Sequence, residues 1–325
     1  MAIQNKTPIV GQQIYDFVVW QNTSQKLSAM AGQIPLWLFN TPTHIALQSA
    51  LPQLTFVIND FATHTQIHGI FHVFLSYQTA RSPASAPFGS FEVAEHIGYD
   101  IFGKWLTWIE TYLKEHDIKN IHIKHYPECY HWSRATFVKR ALLRYNFTTP
   151  QQLENQYIEI ADFQFHASEK RRLRKCIEAG FKFEQPTHIC PEEIYEFIAK
   201  NRRDLGYKMT FSLAMFQEWL ITFPDDFLVF WVKDNDQIAA LTIAVRVGAT
   251  VLYNFYPTYH VAYRSFSPSV LLHQGLIDYC KKQQIKILDL GISVDESGTP
   301  KPSLVRFKRN LGAKSCQKYI FQKDI

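Results

Sequence analysis

Two periods of apolar and polar positions run along the chain, and they predict an alternation of strands and helices. Short runs rich in Val, Ile, Phe and Tyr predict strands, whereas apolar positions three or four residues apart predict helices. The predicted strands are 14–20, 33–39, 54–58, 68–77, 91–94, 120–124, 156–161, 227–233, 237–246, 249–256, 287–291 and 315–322. The predicted helices are 43–50, 97–116, 131–144, 168–180, 191–204, 212–222, 268–284 and 301–311. This mixture predicts an α/β (α+β) protein.

One order of elements occurs twice in the chain. Helix, strand, helix and strand begin near 97, 120, 131 and 156, and each has a counterpart 160 to 171 residues later. A pattern that repeats at this distance predicts two tandem domains, although few residues are identical between the halves. We place the domains at 1–164 and 165–325. One large α/β domain with chance spacing is the alternative.

The stretch 249–291 reads as strand, loop, helix and strand. Pro268 suits the first position of the helix, and Ser267 is expected to cap its free backbone donors. A helix that starts at the end of a strand can bind an anion with its N–H groups, and Arg264 adds a positive charge nearby. The alternative is an ordinary crossover helix that binds nothing.

Composition narrows the classes of function. The 325 residues include 34 Lys and Arg and 29 Asp and Glu, which gives a net charge of +5. This charge permits an anionic ligand but is too small and dispersed to indicate nucleic-acid binding. Five scattered cysteines predict reduced thiols. No apolar run is long enough to span a membrane, and no signal peptide is recognised, so we expect a cytoplasmic protein.

Three stretches resemble a known family. They are SPASAPFGSFE at 82–92, EKRRLRKCIEAGFKFE at 169–184, and LDLGIS at 288–293 followed by LVRFKRNLGAK at 304–314. Together they are similar to the motifs of Fem-type proteins, a tandem branch of the GNAT acyltransferases. The resemblance implies two tandem GNAT-like domains, each a mixed, mostly antiparallel sheet flanked by helices. In that fold an acyl thioester binds where two neighbouring strands splay apart.

Two departures from the family affect the expected donor. The glycine-containing phosphate signature is replaced by RSFSPS at 264–269, and the long helical arm of the tRNA-dependent members is missing from 185–225. We therefore expect a thioester of CoA or of an acyl carrier protein as co-substrate, with no permanently bound cofactor. A charged tRNA is the alternative donor.

The resemblance also implies a set of site residues. Lys308 would stabilise the oxyanion, and its tip is expected to be exposed, so that its removal would leave stability nearly unchanged. Backbone N–H groups between Asn254 and Tyr256 would polarise the acyl carbonyl. The donor would be bound by Asn254, Phe255, Arg264, Ser267 and Ser269. The acceptor, bound between the domains, would be contacted by Phe88, Gly89, Arg171, Arg174 and Lys175.

Other readings of these residues stay open. Lys308 and the basic helix could be solvated surface charges, and Asp289, a catalytic candidate, could be a structural hydrogen-bond acceptor inside an apolar strand. Tyr256 could donate a proton to the leaving thiolate, as could Tyr253, Tyr259 or Tyr263, but aromatic packing also explains this cluster. His64, His68 and His72 share one face of a strand and are expected to be structural, so no metal site is predicted.

The sequence thus predicts an N-acyltransferase. It would move an acyl group from acyl-CoA or acyl carrier protein to a small-molecule or cell-envelope precursor amine. One alternative is tRNA-dependent aminoacyl transfer to a peptidoglycan precursor. Another is a non-catalytic GNAT-like binding protein.

Overall fold

The structure, a computed structural model, describes residues 5–7, 15–21, 34–61, 66–204, 206–295 and 298–325. It divides into two compact units: the first contains 1–153 and 317–325, and the second contains 154–316. The last strand therefore belongs largely to the first unit, whereas the sequence-based division assigned the whole C-terminus to the second. His64, one of three histidines noted above, lies outside the described residues.

The first unit is a sheet with helices. Its helices are α1 (Pro42–Gln48), α2 (Tyr99–Glu115) and α3 (Trp132–Arg144). Its strands are β1 (Asn5–Thr7), β2 (Tyr15–Gln21), β3 (Gln53–Asp60), β4 (Ile67–Ser76), β5 (Thr79–Ser82), β6 (Glu92–Val93) and β7 (Asn120–Lys124). Two further strands cross the division between the units: β8 (Thr148–Glu159) and β15 (Lys314–Asp324). Neighbouring strands pair antiparallel except β5 and β7, which are parallel. Apolar side chains of α2 and α3 pack on this sheet and form its core.

The second unit follows the same plan. Its helices are α4 (Ala167–Glu178), α5 (Pro191–Asp204), α6 (Leu213–Thr222), α7 (Pro268–Lys282) and α8 (Pro302–Asn310). Its other strands are β9 (Lys182–Glu184), β10 (Phe227–Asp234), β11 (Gln237–Gly248), β12 (Val251–Asn254), β13 (Thr258–Tyr259) and β14 (Ile287–Ile292). The strand order is β8-β14-β12-β11-β10-β9, and only β12 and β14 run parallel.

These sheets confirm the mixed, mostly antiparallel class with flanking helices. Two local predictions were wrong. No strand forms at 34–39, where Leu38–Asn40 is a 3₁₀ turn leading into α1, and Pro35 cannot donate to a strand partner. The predicted loop at 79–90 contains β5, which forms by pairing with β7 although its sequence has little strand preference. None of the described helices is long and apolar enough to cross a bilayer.

Candidate functional site

Strands β12 and β14 separate at the carboxyl ends, and this gap is the candidate site. Their parallel pairing ends at Tyr253 and Asp289. Beyond that point β14 continues along β8. The chain that follows β12 instead stays on β11, because the N–H groups of Phe255 and Tyr256 both donate to the Ile243 carbonyl at 3.0 Å. The strands therefore splay, as the family resemblance implies.

The same hydrogen bonds correct one expectation. Backbone N–H groups between Asn254 and Tyr256 were expected to polarise the acyl carbonyl. Two of them, on Phe255 and Tyr256, are already used by the Ile243 carbonyl. A donor already bonded to a carbonyl is not free for a substrate oxygen, because the bond would first have to break. The Asn254 N–H takes no part in these two bonds, so it stays a candidate for carbonyl activation together with the side chains at the gap.

Lys308 belongs to α8, and its side chain reaches the end of β14. Its side chain is buried, with 6% of its surface exposed, so the expectation of an exposed tip was wrong. Its Nζ donates to the carbonyls of Gly291 at 2.8 Å and Ile292 at 2.9 Å, and more weakly to Gln156 Oε1 at 3.5 Å. Burial lowers the Lys308 pKa to about 8, while the charge of Asp289 opposes that shift.

Asp289 holds the backbone of β14 in shape. Its Oδ1 accepts hydrogen bonds from Asn155 Nδ2 at 2.7 Å and from the Gly291 N–H at 2.8 Å. Gly291 has φ +71, and a β carbon there would lie 3.2 Å from the Tyr253 ring. Asp289 therefore stabilises an irregular strand end that only glycine occupies without strain, and its nearest partners are protein groups.

The two tyrosines of the gap have different environments. The Tyr256 hydroxyl accepts from the Thr210 N–H at 3.1 Å and shares a 2.7 Å hydrogen bond with Thr210 Oγ1. The Tyr253 ring instead packs against Gly291, whose carbonyl binds Lys308. Burial, and then the charge of Asp289, raise the Tyr253 pKa well above its usual value, so this phenol stays protonated. Tyr253 is therefore better placed than Tyr256 to donate a proton near Lys308.

A buried chain of polar groups links β11, β12 and α7. Thr242 Oγ1 donates to Asn254 Oδ1 at 2.6 Å, and Asn254 Nδ2 lies 3.2 Å from His273 Nε2. His273 Nδ1 lies 2.6 Å from the Ser269 carbonyl. Burial lowers the His273 pKa to about 4, which fits a neutral ring that donates from Nδ1 and accepts at Nε2. Asn254 thus fixes the first turn of α7 to the sheet.

The start of α7 offers few backbone donors. Ser267 occupies the cap position but has φ 56 and ψ 51, and its side chain makes no capping bond, so the predicted cap was wrong. A capping side chain needs an extended backbone at that residue, which the left-handed conformation prevents. The Ser267 N–H donates to the Arg264 carbonyl, and Pro268 has no N–H. Within the described residues, the backbone N–H of Ser269 has no acceptor.

Two cations flank this helix start. Arg264 is exposed in the 3₁₀ turn 261–266, immediately before α7. Lys175 of α4 donates to the Ser265 carbonyl at 3.0 Å and lies 5.2 Å from the centre of the Phe266 ring. Arg171 and Arg174 are exposed on the same helix. The structure therefore brings Lys175 to the predicted donor end, although the sequence had assigned it to the acceptor.

The remaining candidates lie in the first unit. Phe88 is buried, with 1% exposed, in a cluster with the rings of Phe39, Tyr126 and Tyr130. The Gly89 N–H donates to the Lys124 carbonyl, and a β carbon at Gly89 would lie 2.5 Å from Ser82 Oγ. Phe88 thus has a packing role here, and Gly89 permits a close approach of two backbone segments.

Three polar residues of the site were missed from the sequence. Asn155 and Gln156 on β8 contact Asp289 and Lys308 across more than a hundred residues of chain, which no local pattern reports. His273 could have been found, because it is a lone polar side chain on the buried, otherwise apolar face of α7. No cluster of three or more metal-binding side chains occurs among the described residues.

Comparison with known proteins gives a consistent answer. Residues 167–309 match the acetyltransferase (GNAT) domain family. No curated protein matches the sequence. A crystal structure of FemX is similar over 99% of this chain and 97% of that chain, with a TM-score of 0.70 and 12% identity.

Two further solved structures have the same fold. The similarity to L-PGS from Bacillus licheniformis covers 97% of this chain and 93% of that chain, with a TM-score of 0.59 and 12% identity. The similarity to a tandem GNAT protein from the clavulanic acid biosynthesis pathway covers 95% of this chain and 98% of that chain, with a TM-score of 0.54 and 11% identity. Residues 167–309 therefore match a GNAT domain, and the similar structures show that the whole chain shares the fold of FemX and of a tandem GNAT protein.

Proposed function

We propose that the protein transfers an acyl group from a thioester donor, acyl-CoA or an acyl carrier protein, to an amine. The observation that carries this proposal is the gap between β12 and β14, with the Lys308 ammonium at its edge. The acyl carbonyl would enter this gap from the carboxyl ends of the strands. The attacking amine would form the new C–N bond and lose one proton, while the C–S bond breaks and the sulfur leaves as a thiol with one proton.

Lys308 would stabilise the oxyanion. Two of its three hydrogens are held by the carbonyls of Gly291 and Ile292, and the third makes the 3.5 Å contact to Gln156. That long contact is the weakest of the three, so its hydrogen is the one available to a substrate oxygen. The two carbonyls fix the position of the ammonium, as preorganised charge stabilisation requires.

Tyr253 would return a proton to the leaving sulfur. A tyrosine phenol is protonated near neutral pH at its ordinary pKa of 10, and because burial and the Asp289 charge raise the Tyr253 pKa, its role as donor rests on its position rather than on its acidity. Its hydroxyl lies beside Gly291, the residue whose carbonyl accepts a hydrogen bond from Lys308. His273 is an unsuitable base, because both ring nitrogens have protein partners and its pKa is lowered to about 4.

A second candidate function is aminoacyl transfer from a charged tRNA. It is favoured by the start of α7, where one free N–H, on Ser269, replaces the several donors of a glycine-containing phosphate loop. A diphosphate would gain less from this site than from such a loop. The similar structures also include FemX and L-PGS.

One experiment separates the two donors. Purified protein is incubated with a panel of primary amines and either radiolabelled acetyl-CoA, a loaded acyl carrier protein, or a charged tRNA. Amide formation from a thioester supports the first function, and amide formation from only the tRNA supports the second. If no donor yields product while the wild-type protein is folded, the non-catalytic alternative is favoured.

A further inference from the structure

Two cations surround one tyrosine ring in the second unit. Arg202, in the last turn of α5, has its guanidinium carbon 5.2 Å from the centre of the Tyr207 ring. Lys301, just before α8, has its Nζ 4.4 Å from the same ring centre and donates a hydrogen bond to the Tyr207 hydroxyl. All three side chains are half-buried. We call Arg202, Tyr207 and Lys301 the cationic cluster.

This cationic cluster lies at the mouth of the gap between the splayed strands. The Arg202 guanidinium carbon also lies 4.6 Å from the centre of the Tyr256 ring, and Tyr256 is the second residue after the end of β12. The Lys301 N–H donates to the carbonyl of Ser293, which directly follows β14. The cluster therefore connects the carboxyl ends of both strands, on the side where the proposed acyl carbonyl would enter.

Within the part of the chain that the structure describes, no carboxylate pairs with the two cations of this cluster. Neither Arg202 nor Lys301 forms an ion pair with a carboxylate anywhere in the described part of the chain. Two like charges held beside one ring repel each other, and the ring quadrupole offsets only part of this repulsion. An anion bound between them would remove the repulsion.

Both cations also keep hydrogens for a ligand. Arg202 uses Nε and Nη2 to bond the Lys208 carbonyl, at 3.2 and 3.1 Å, which leaves both hydrogens of Nη1. The Lys301 ammonium donates one of its three hydrogens to the Tyr207 hydroxyl, which leaves two for a ligand. The bonds that are already made hold the guanidinium and the ammonium in place, so little side-chain entropy remains to be lost on binding.

We propose that the cationic cluster binds a carboxylate or phosphate group of the acceptor, so that the substrate is an anionic amine whose nitrogen is directed into the gap beside Lys308. This assignment rests on the proposed function and names its acceptor class. It also moves the anionic acceptor contact from Arg171 and Arg174 on α4 to Arg202 and Lys301.

The test measures anion binding without turnover. Inorganic pyrophosphate and succinate are titrated calorimetrically at low ionic strength against the wild type and against Arg202→Gln and Lys301→Gln. Arg203→Gln and Lys200→Gln are matched controls, because both residues are exposed on the same helix as Arg202 without a contact to the cluster. Arg202→Lys keeps the charge but loses the planar pair of donors.

We expect Arg202→Gln and Lys301→Gln each to weaken anion binding at least tenfold, and the controls to bind like the wild type. Arg202→Lys should bind pyrophosphate more tightly than Arg202→Gln does, because it keeps the positive charge. The ligand that binds tighter, pyrophosphate or succinate, identifies phosphate or carboxylate as the acceptor group. Melting curves of every variant exclude loss of fold as the cause.

Two results would overturn the assignment. The first is that neither anion binds the wild type, and the second is that the controls lose binding as strongly as the cluster variants. Because the titration needs no acyl donor, an inactive protein with an intact, Arg202-dependent anion site would reject the proposed transfer reaction alone. An active protein whose anion binding ignores these variants would reject the cluster alone.

Discussion

At the scale of single residues, Lys308 shows how burial changes the meaning of a charge. A lysine on the surface contributes little to stability, but Lys308 supplies hydrogen bonds to two carbonyls at the end of β14. Its lowered pKa, about 8, means that burial opposes the charge while the carbonyls and Asp289 favour it. Function and local structure therefore depend on the same ammonium group.

We predict that Lys308→Met lowers both activity and stability. The rate should fall by about a hundredfold or more, which is typical for loss of one oxyanion donor. Unfolding free energy should drop by about 1–3 kcal/mol, because the Gly291 and Ile292 carbonyls lose their donor. Arg309→Met, at an exposed position of the same helix, should change both by little. Urea unfolding and acyl-transfer rates are measured for both variants. Equal stability and equal rates in Lys308→Met and Arg309→Met would refute the role of Lys308.

Lys308 also predicts a pH dependence. If its ammonium stabilises the oxyanion, activity should decline as pH rises through about 8, where this group loses its proton in the folded protein. Its folded pKa lies below the unfolded value of 10.5, so the unfolded chain binds more protons between these values. Stability from this group should therefore increase from pH 8 to 10.5. A rate that rises through pH 8 would instead indicate a neutral amine acting as base.

We predict different effects for two Tyr→Phe substitutions. Tyr253→Phe should reduce kcat at nearly unchanged stability, because the phenol is proposed to protonate the leaving sulfur. Tyr256→Phe should mainly reduce stability, by about 1 kcal/mol, because its hydroxyl holds Thr210. Steady-state kinetics give kcat, and thermal unfolding gives the stability, of Tyr253→Phe and Tyr256→Phe. The assignment fails if Tyr256→Phe has the larger effect on kcat.

At the scale of elements, the starts of α6 and α7 look alike in sequence but differ in conformation. Both follow a serine. Ser212 is extended and its side chain accepts from the Met215 N–H at 3.2 Å, whereas Ser267 is left-handed and accepts no capping bond from its side chain. The same residue type therefore stabilises one helix and strains the other.

We predict opposite results for these two serines. Ser212→Gly should leave the N–H of Met215 without its side-chain acceptor and lower the melting temperature. Ser267→Gly should raise it, because glycine occupies the left-handed region without strain and no capping bond is lost. Differential scanning calorimetry of both variants tests this. A lower melting temperature for Ser267→Gly would show that its side chain stabilises the loop in another way.

These elements also show what the sequence could and could not predict. Helices α5 and α7 and strands β7 and β14 were predicted within two residues, because amphipathic periods and flanking prolines are local signals. Strand β5 was missed because its residues have little strand preference, and it forms between β4, which adjoins it in sequence, and β7, which lies about forty residues away. The contacts of Gln156 with Lys308 and of Asn155 with Asp289 were missed because the partners lie more than a hundred residues apart in the chain.

At the scale of the whole molecule, buried histidines are unequally distributed. Burial lowers the pKa of six histidines in the first unit: to about 3 for His44, about 4 for His72 and about 3 for His125, and less strongly for His68, His122 and His131. In the second unit His273 is the one with a comparable shift among the described residues, to about 4. Glu92, in the first unit, has its pKa raised by burial to about 8.

The sign of each contribution follows from proton linkage. His44, His72, His125 and His273, whose pKa values are lowered most, are neutral when folded but bind protons near pH 6.5 when unfolded, so acid destabilises the protein from about pH 6.5 down to 4 or 3. Glu92 acts in the opposite direction. Its folded form keeps a proton up to about pH 8, so its contribution is present at low pH and is lost between about pH 4.5 and 8.

We predict that mild acid opens the first unit before the second. Between pH 6.5 and 5 the three strongly shifted histidines of the first unit, and to a smaller extent His68, His122 and His131, destabilise that unit, whereas only His273 among the described histidines acts so in the second. The single Glu92 contribution compensates for only part of this loss. Hydrogen exchange of the full-length protein, followed by mass spectrometry, should show β3 and β4 losing protection at a higher pH than β10 and β11. His44→Gln should shift this loss toward lower pH, whereas His116→Gln, at an exposed position, should not. If both units lose protection together, or if His44→Gln has no effect, the buried histidines do not determine the acid stability of the first unit.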